Sequence, residues 1–284
     1  MDLFLAGLAA FLYGIADFSG GFAARKSKTL SVLVLSQCIG IVLTLIVIIM
    51  FWPASPSRSD LLWGLLAGVT GSFSLFVLYE GIATSIVAIV SPTSAVVGAV
   101  IPVLFAAVIL GERPSAIAIV GSVVCLPAIA LLTREGKLEK SGRELIKTAL
   151  TYGVLSGFGF GVFFISLSRC RHSAGLWPLV AVKLAALTVT GIAMLFSGQT
   201  FKIERDGRVS ALIAGVSDMG ANVLYMLATQ LGMLSTVVVV ISLFPAPTVI
   251  LARVFLKQKI PPVRLAGIIL AIIGIGLISF RQSV

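Results

Sequence analysis

Long apolar segments separated by short charged ones constrain this chain more than any other feature. About 58% of its 284 residues are hydrophobic and only 11% are charged, whereas soluble domains are about 25% charged. A helix that crosses a bilayer needs about 20 mostly apolar residues, and ten such runs follow one another along the sequence. The pattern therefore predicts an all-α, polytopic membrane protein with ten transmembrane helices.

The spans are separated by turn and charge signals, and a long basic loop follows the fifth. We place them at Leu3–Ala24, Leu30–Trp52, Leu61–Ala83, Ile86–Leu110, Ser115–Thr133, Thr148–Ser168, Leu176–Ser197, Ser210–Gln230, Ser235–Leu256 and Val263–Phe280.

Several short sequence matches between the two halves of the chain share one register, with a shift of 146 or 147 residues. They are Ala67–Val69 with Ala214–Val216, Leu78-Tyr79 with Leu224-Tyr225, and Gln37 with Lys183. Because each half has an odd number of spans, the second half enters the membrane from the opposite side. The sequence thus predicts two inverted five-helix repeats, residues 1–140 and 141–284, as in many secondary transporters. Coincidence among apolar segments is the alternative.

Prolines interrupt the fourth and ninth spans, which hold matching places in the two halves. They are Pro92 and Pro102 in the fourth span, and Pro245 and Pro247 in the ninth. Proline removes a backbone donor and breaks or kinks a helix, and in a membrane the freed carbonyl groups need partners inside protein or beside a cavity. Such helix breaks indicate a transport site, with kinking for packing alone as the alternative.

Glycines recur at four-residue spacing on two spans. They are Gly64 and Gly68 in the third span, where Ser72 continues the same face, and Gly153, Gly157 and Gly161 in the sixth. Small residues on one face let two helices approach closely in a membrane, so we interpret both faces as packing surfaces.

Several short motifs follow one another in a characteristic order along the chain. They are Tyr13-Gly14 in the first span, Gln37 and Lys183 in the second and seventh, residues 110–114 (LGERP) after the fourth, and residues 228–234 (ATQLGML) before the ninth, with its Pro245. In these motifs the chain resembles the drug/metabolite transporter superfamily, in its ten-helix EamA-like branch.

This resemblance implies two inverted halves around a central cavity. It also implies transport, often export, of amino acids, nucleotide precursors, sugars or drugs. The sequence departs from the family pattern at Gln258, where a glutamate is usual, and at Tyr13, where tryptophan is common.

Five ionisable side chains fall within the predicted spans. They are Asp17, Glu80, Lys183, Asp218 and Arg253. Each costs about 2.5–3.5 kcal/mol at the centre of an inserted helix, so such residues usually face a partner or a watery cavity. Glu80 and Arg253 lie near span ends and can reach the interface, whereas the other three lie deeper.

Polar side chains form a stripe on the eighth span. Asp218, Asn222, Tyr225 and Thr229 stand at i, i+4, i+7 and i+11, on one face of a helix. A hydrated pathway would explain the stripe, and so would a hydrogen-bonded seam between helices.

A second polar pair lies on the first span, where Tyr13 and Asp17 stand at i and i+4. Lys183 either neutralises Asp17 or Asp218 as a structural pair, or lines a cavity wall opposite Gln37. The candidate residues for binding substrate or protons are Tyr13, Asp17, Gln37, Glu80, Lys183, Asp218, Asn222 and Tyr225. Asp17 and Asp218 are the candidate proton carriers.

These features favour a secondary transporter that exports a small metabolite or drug-like molecule and is coupled to protons. There is no Walker loop, no serine-nucleophile elbow and no His/Cys metal pattern in the sequence. We therefore expect no enzyme activity, no cofactor and no metal. The alternatives are a channel, a non-transporting scaffold, or a membrane enzyme acting on a lipid-linked substrate.

The net charge of +10 is better explained by basic loops near anionic lipid than by nucleic-acid binding, because no basic helix face is present.

Most lysines and arginines lie in loops after odd-numbered spans. The positive-inside rule then places these loops in the cytoplasm and both termini outside. We expect a bacterial plasma (inner) membrane, with the lipid bilayer and a small-molecule substrate as partners. The fifth and tenth spans carry few polar residues, so we expect them at the periphery of the fold or at the contact surface of a homodimer.

Overall fold

The computed structural model describes residues 1–51, 56–111, 140–257 and 262–279, together with positions 117, 120 and 124. Over the described ranges the chain is helical and contains no strand. The α-helices are α1 (Asp2–Ala24), α2 (Thr29–Phe51), α3 (Arg58–Thr84), α4 (Val87–Val108), α5 (Lys140–Ser168), α6 (Trp177–Phe196), α7 (Arg205–Leu231), α8 (Leu234–Ile241), α9 (Pro245–Leu256) and α10 (Pro262–Ser279).

Eight segments of the described chain are long and apolar enough to cross a membrane, with α8 and α9 forming one of them. A ninth, shorter apolar helix covers Leu265–Gly274. The predicted fifth span, Ser115–Thr133, lies outside the described residues apart from three helical positions. Helices suit this sequence because they satisfy every backbone hydrogen bond within one segment, as the bilayer interior requires.

The proline-containing spans differ from each other. The ninth span is interrupted: α8 ends at Ile241 and α9 begins at Pro245. The fourth span is not, because Pro92 and Pro102 both lie inside the continuous helix α4, contrary to the sequence prediction. Each proline removes one donor, and α4 tolerates the loss because 78% of its apolar window is buried against neighbouring helices, which can satisfy the freed carbonyl groups.

The sixth span also differs from prediction, since α5 begins at Lys140 rather than at Thr148. The added turns are amphipathic. Ile146 is buried in a cluster with residues of α3 and α4, while Glu144 and Lys147 form an exposed ion pair. Burial of this apolar face extends the helix beyond the apolar run that the sequence shows.

Helices of the first half pack mainly on helices of the second half. In the described chain, α1 packs on α7, α3 on α5 and α6, α2 on α6 and α7, and α4 on α5, α8 and α9. The polar groups that the sequence singled out therefore meet across the boundary between the halves.

The two glycine faces form close helix contacts, which confirms their interpretation as packing surfaces. A Cβ atom on Gly64 would lie 2.6 Å from the carbonyl oxygen of Pro178 in α6, and one on Gly157 would lie 2.5 Å from that of Ser94 in α4. Side chains at these positions would push the backbones apart.

The molecule has two ends, which we name by the loops found there. The α1–α2 end also holds the α6–α7 loop, because Ser27 Oγ accepts a hydrogen bond from the backbone nitrogen of Glu204 at 3.0 Å. The α5–α6 end also holds the start of α3, where Ser57 and Asp60 form a capping box. Between the ends many large apolar side chains are exposed, including Phe11 and Phe255, as expected of a surface in contact with lipid.

Candidate functional site

A chain of buried polar groups joins α1, α7 and α6 near the middle of the fold. Tyr13 donates from its hydroxyl to Asn222 Oδ1 at 2.7 Å. Asn222 donates from Nδ2 to Asp218 Oδ2 at 3.1 Å, and Lys183 Nζ donates to the same oxygen at 2.5 Å. We call these four residues the central network.

The ion pair in the central network is largely buried. Lys183 is 2% exposed and Asp218 is 7% exposed. Of the two partners that the sequence left open for Lys183, the structure selects Asp218. A buried pair persists only if its geometry is good and its remaining polar atoms are satisfied, and Asn222 supplies an additional donor to the carboxylate.

A small cavity of about 20 Å³ lies against this network and is lined by Gln37 and Ser72 as well as by its four members. This volume is about enough for one water molecule. Gln37 corresponds to Lys183 in the register of the predicted repeat, and the same shift carries Ser72 onto Asp218. The charged pair Lys183–Asp218 from the second half thus shares this cavity with the neutral polar pair Gln37 and Ser72 from the first half.

Within the described residues, Gln37 Oε1 is buried without a hydrogen-bond partner. A buried acceptor of this kind favours an ordered water or a ligand. Gln37 therefore has capacity left to bind a water molecule or a ligand in this cavity.

Asp17 lies on α1 one turn beyond Tyr13 and is 3% exposed. In the described part of the chain no cation or hydrogen-bond donor lies within bonding distance of its carboxyl group. The hydroxyl of Tyr79 is also buried without a partner there, and its ring packs against Gly20 of α1. Among the residues that the structure describes, Asp17 is thus a deep carboxyl group with no counter-charge within bonding distance.

A larger cavity of about 440 Å³ lies between α2, α3 and α6 and reaches the α1–α2 end; we call it the side cavity. Its polar lining includes Lys28 and Glu80 near the mouth, and Ser72 and Thr190 deeper down. Its apolar walls include Leu30, Leu33, Phe73 and Phe76.

Two hydrogen bonds order the side cavity. Thr29 donates to Glu80 Oε2 at 3.0 Å near the mouth. Deeper down, the hydroxyl oxygens of Ser72 and Thr190 lie 2.8 Å apart and join α3 to α6. Because Ser72 lines both cavities, this hydroxyl pair stands between the side cavity and the central network.

Comparison with known proteins identifies the family. The sequence profile of the EamA-like transporter family matches residues 1–134 and 146–280. The chain belongs to this family. It is therefore a multi-pass membrane transporter, and the resemblance to the drug/metabolite transporter superfamily is confirmed.

Solved structures agree with this fold, with 28 chains matching. One of them, described as "Crystal structure of protein", is 14% identical in sequence and has a TM-score of 0.69 over 96% of this chain and 97% of its own. No curated protein matches the sequence.

Tyr225 of this EamA-like chain lies outside the central network. Its hydroxyl donates to the backbone oxygen of Phe164 at 2.6 Å, and its ring packs on the Phe164 ring. Thr229 donates back to carbonyl groups of its own helix. The stripe on the eighth span is thus divided. Asp218 and Asn222 face polar partners, Tyr225 bonds a neighbouring helix, and Thr229 bonds its own helix.

The break between α8 and α9 is held against α1. Gly14 packs on Pro247, and the hydroxyl of Thr248 donates to the Gly14 carbonyl oxygen at 3.1 Å. Pro245 occupies the first position of α9, where its missing donor costs nothing. The transporter's broken span thus borders the same helix that carries Tyr13 and Asp17.

The sequence pattern assigns no binding role to three residues of the site: Thr29, Ser72 and Thr190. Isolated hydroxyls in apolar helices usually bond their own backbone and give little signal. The register of the repeat was the available clue for Ser72, because it aligns this residue with Asp218. Among the described residues there is also no cluster of three or more His, Cys, Asp or Glu that could hold a metal ion.

Proposed function

We propose that this EamA-like transporter is a proton-coupled secondary exporter of a small cationic or zwitterionic metabolite across the bacterial inner membrane. The observation that carries the proposal is the central network, in which charged groups are buried where helices of the two halves meet. Ionisable residues deep in a membrane usually mark a transport or proton pathway.

The contacts between helices support two inverted five-helix halves, residues 1–140 and 141–284. The first helix of one half packs on the third helix of the other in both directions, as α1 on α7 and α3 on α5. The second helices of the halves, α2 and α6, also pack on each other. A two-fold axis between the halves would produce these reciprocal contacts, and rocking of the halves about a central site gives alternating access.

Asp17 is the better of the two candidate proton carriers. Asp218 already has Lys183 as a fixed counter-charge, so protonating it would break a buried ion pair. Around Asp17, α7 contributes Asp218 and α3 contributes Tyr79, and neither is a cation. A lone buried carboxylate is costly, so Asp17 should hold a proton until water or a cationic substrate reaches it.

The side cavity suits an organic cation or a zwitterion. Its volume of about 440 Å³ lies within the range of small-molecule sites. Glu80 can receive an ammonium group, Lys28 can receive a carboxylate, and the aromatic and leucine walls can hold an apolar body. The substrate would then approach the central network past Ser72 and Thr190.

Transport by purified protein in liposomes tests the proposal. A panel of radiolabelled amines, amino acids and anionic metabolites should yield at least one cationic or zwitterionic substrate whose flux follows an imposed pH gradient. Asp17→Asn should retain substrate exchange at equal pH and lose acceleration by the gradient. Glu144→Gln, at an exposed position of α5, is the matched control and should behave as the parent protein does.

Two results would contradict the proposal. One is flux of anionic metabolites alone. The other is a pH-dependent flux that Asp17→Asn leaves unchanged. Passive, non-saturable conduction would instead favour a channel.

A further inference from the structure

An ion pair at the α5–α6 end ties the two halves together. Asp60, at the start of α3, accepts hydrogen bonds from Arg171 in the α5–α6 loop: from its backbone nitrogen at 2.9 Å, from Nε at 3.2 Å and from Nη2 at 3.0 Å. The Asp60 side chain is 1% exposed, whereas that of Arg171 is 58% exposed. The carboxylate also closes the capping box with Ser57.

A weaker ion pair occupies the corresponding place at the α1–α2 end. Asp206, at the start of α7, lies 3.5 Å from Lys26 Nζ, and the two side chains are 76% and 42% exposed. The neighbouring Arg25 does not reach Asp206. Its guanidinium instead donates to the Ile82 carbonyl oxygen, at 3.1 Å from Nε and 2.8 Å from Nη2.

The register of the predicted repeat relates these two places. A shift of 146 residues carries Asp60 onto Asp206 and Arg25 onto Arg171, the same shift that aligns Gln37 with Lys183. In each case the acid begins the third helix of one half, and the arginine lies in the loop after the first helix of the other. Only one of the two arginine–aspartate pairs is formed in this structure.

We propose that Asp60–Arg171 and Asp206–Arg25 are alternating latches, one formed when the α5–α6 end is closed and the other when the α1–α2 end is closed. The proposal rests on alternating access, as set out under the proposed function. In the opposite state Arg25 leaves the Ile82 carbonyl and takes Asp206, while Arg171 releases Asp60.

The position of the side cavity agrees with this assignment. The cavity reaches the α1–α2 end, where the latch is unformed. At the α5–α6 end α3 and α6 are in close contact, since Ala181 and Pro178 pack on Gly64. Charge-assisted hydrogen bonds between arginine and a carboxylate are among the strongest polar contacts in proteins. Breaking one such pair while forming the other is therefore suited to switching between two states of similar energy.

Thiol accessibility at the two ends tests the proposal without any substrate. The parent protein has Cys38, Cys125 and Cys170 replaced by serine, and one new cysteine is then introduced at a time. Ala181→Cys reports on the contact between α3 and α6, and Ala193→Cys reports on the side cavity. A membrane-impermeant maleimide is applied to each face of oriented vesicles, and the labelling rates are compared among latch variants.

Arg171→Gln should raise the labelling rate of Ala181→Cys about tenfold, because it removes charge-assisted hydrogen bonds worth about 1.4 kcal/mol. The same variant should lower the labelling rate of Ala193→Cys. Arg171→Lys should give an intermediate shift because it keeps the charge. Asp206→Asn should act in the opposite direction at both reporters. Arg169→Gln, an exposed arginine in the same loop, should change neither.

Three results would overturn the latches: no change with Arg171→Gln, a rise at Ala181→Cys with no fall at Ala193→Cys, or the same direction of change for Arg171→Gln and Asp206→Asn. The second would show local fraying of the loop. Reciprocal labelling in a protein that transports nothing would retain the latches and reject the proposed function, so the two failures are distinguishable.

Discussion

The buried Lys183–Asp218 pair gives the sharpest prediction about stability. Its atoms lie 2.5 Å apart, and the two side chains are 2% and 10% exposed. Removing one member of such a pair leaves the other charge buried and typically costs about 3–5 kcal/mol. In Lys183→Met, Asn222 still donates a hydrogen bond to Asp218, so we expect a loss at the lower end of this range. Each of Lys183→Met and Asp218→Asn should therefore lower the free energy of unfolding by about 3 kcal/mol.

The double variant should lose far less than the sum of the single losses, because it leaves no unpaired charge. A coupling energy of about 3 kcal/mol follows if the double variant is about as stable as either single one. Chemical unfolding in detergent micelles, followed by tryptophan fluorescence, measures all four proteins. The exposed Glu144–Lys147 pair, at 3.1 Å, is the control and should couple by about 0.5 kcal/mol or less. Additive losses of stability at Lys183 and Asp218 would show that the two side chains do not stabilise each other.

Three further outcomes follow from the structure. Gly64→Ala should lower the free energy of unfolding by about 1–3 kcal/mol through overpacking. Gly191→Ala has open space around its Cβ position and should be neutral or stabilising by up to about 1 kcal/mol. Unfolding curves that rank the two variants the other way would contradict close packing at Gly64. Glu80→Gln should weaken binding of a cationic substrate about tenfold in a direct binding assay, while Glu204→Gln, which does not line the side cavity, should not; equal effects would reject Glu80 as a binding group. A C-terminal reporter that is active only in the cytoplasm should stay silent, and a strong signal would reverse the predicted orientation.

The sequence was most informative about features that depend on local pattern. Apolar run length located the membrane segments, and four-residue spacing identified the Gly64 and Gly157 faces, because both are properties of a single helix. The choice between Asp17 and Asp218 as the partner of Lys183 could not be made in advance, since it depends on how α6 lies against α1 and α7. The residue pattern of a single helix gives no information about the distance between side chains on different helices.

The other differences have similar causes. Pro92 and Pro102 resemble Pro245 and Pro247 in sequence, yet only the second pair accompanies a helix break. Tertiary burial of α4 decides this, not proline itself. The side cavity was not predicted because most of its lining residues are leucine, phenylalanine, serine and threonine, and these residues are equally common in ordinary helix packing.

Proton movement driven by a substrate gradient distinguishes proton-coupled transport from uncoupled transport. Liposomes containing the wild-type protein and a trapped pH-sensitive dye are held at equal pH on both sides, and a transported cationic or zwitterionic substrate is then added on one side only. We expect the substrate gradient to drive protons in the opposite direction. The pH inside the vesicles should then change, a protonophore should abolish this change, and Asp17→Asn should not show it. Substrate entry at the full rate with no pH change inside the vesicles would contradict proton-coupled transport by this protein.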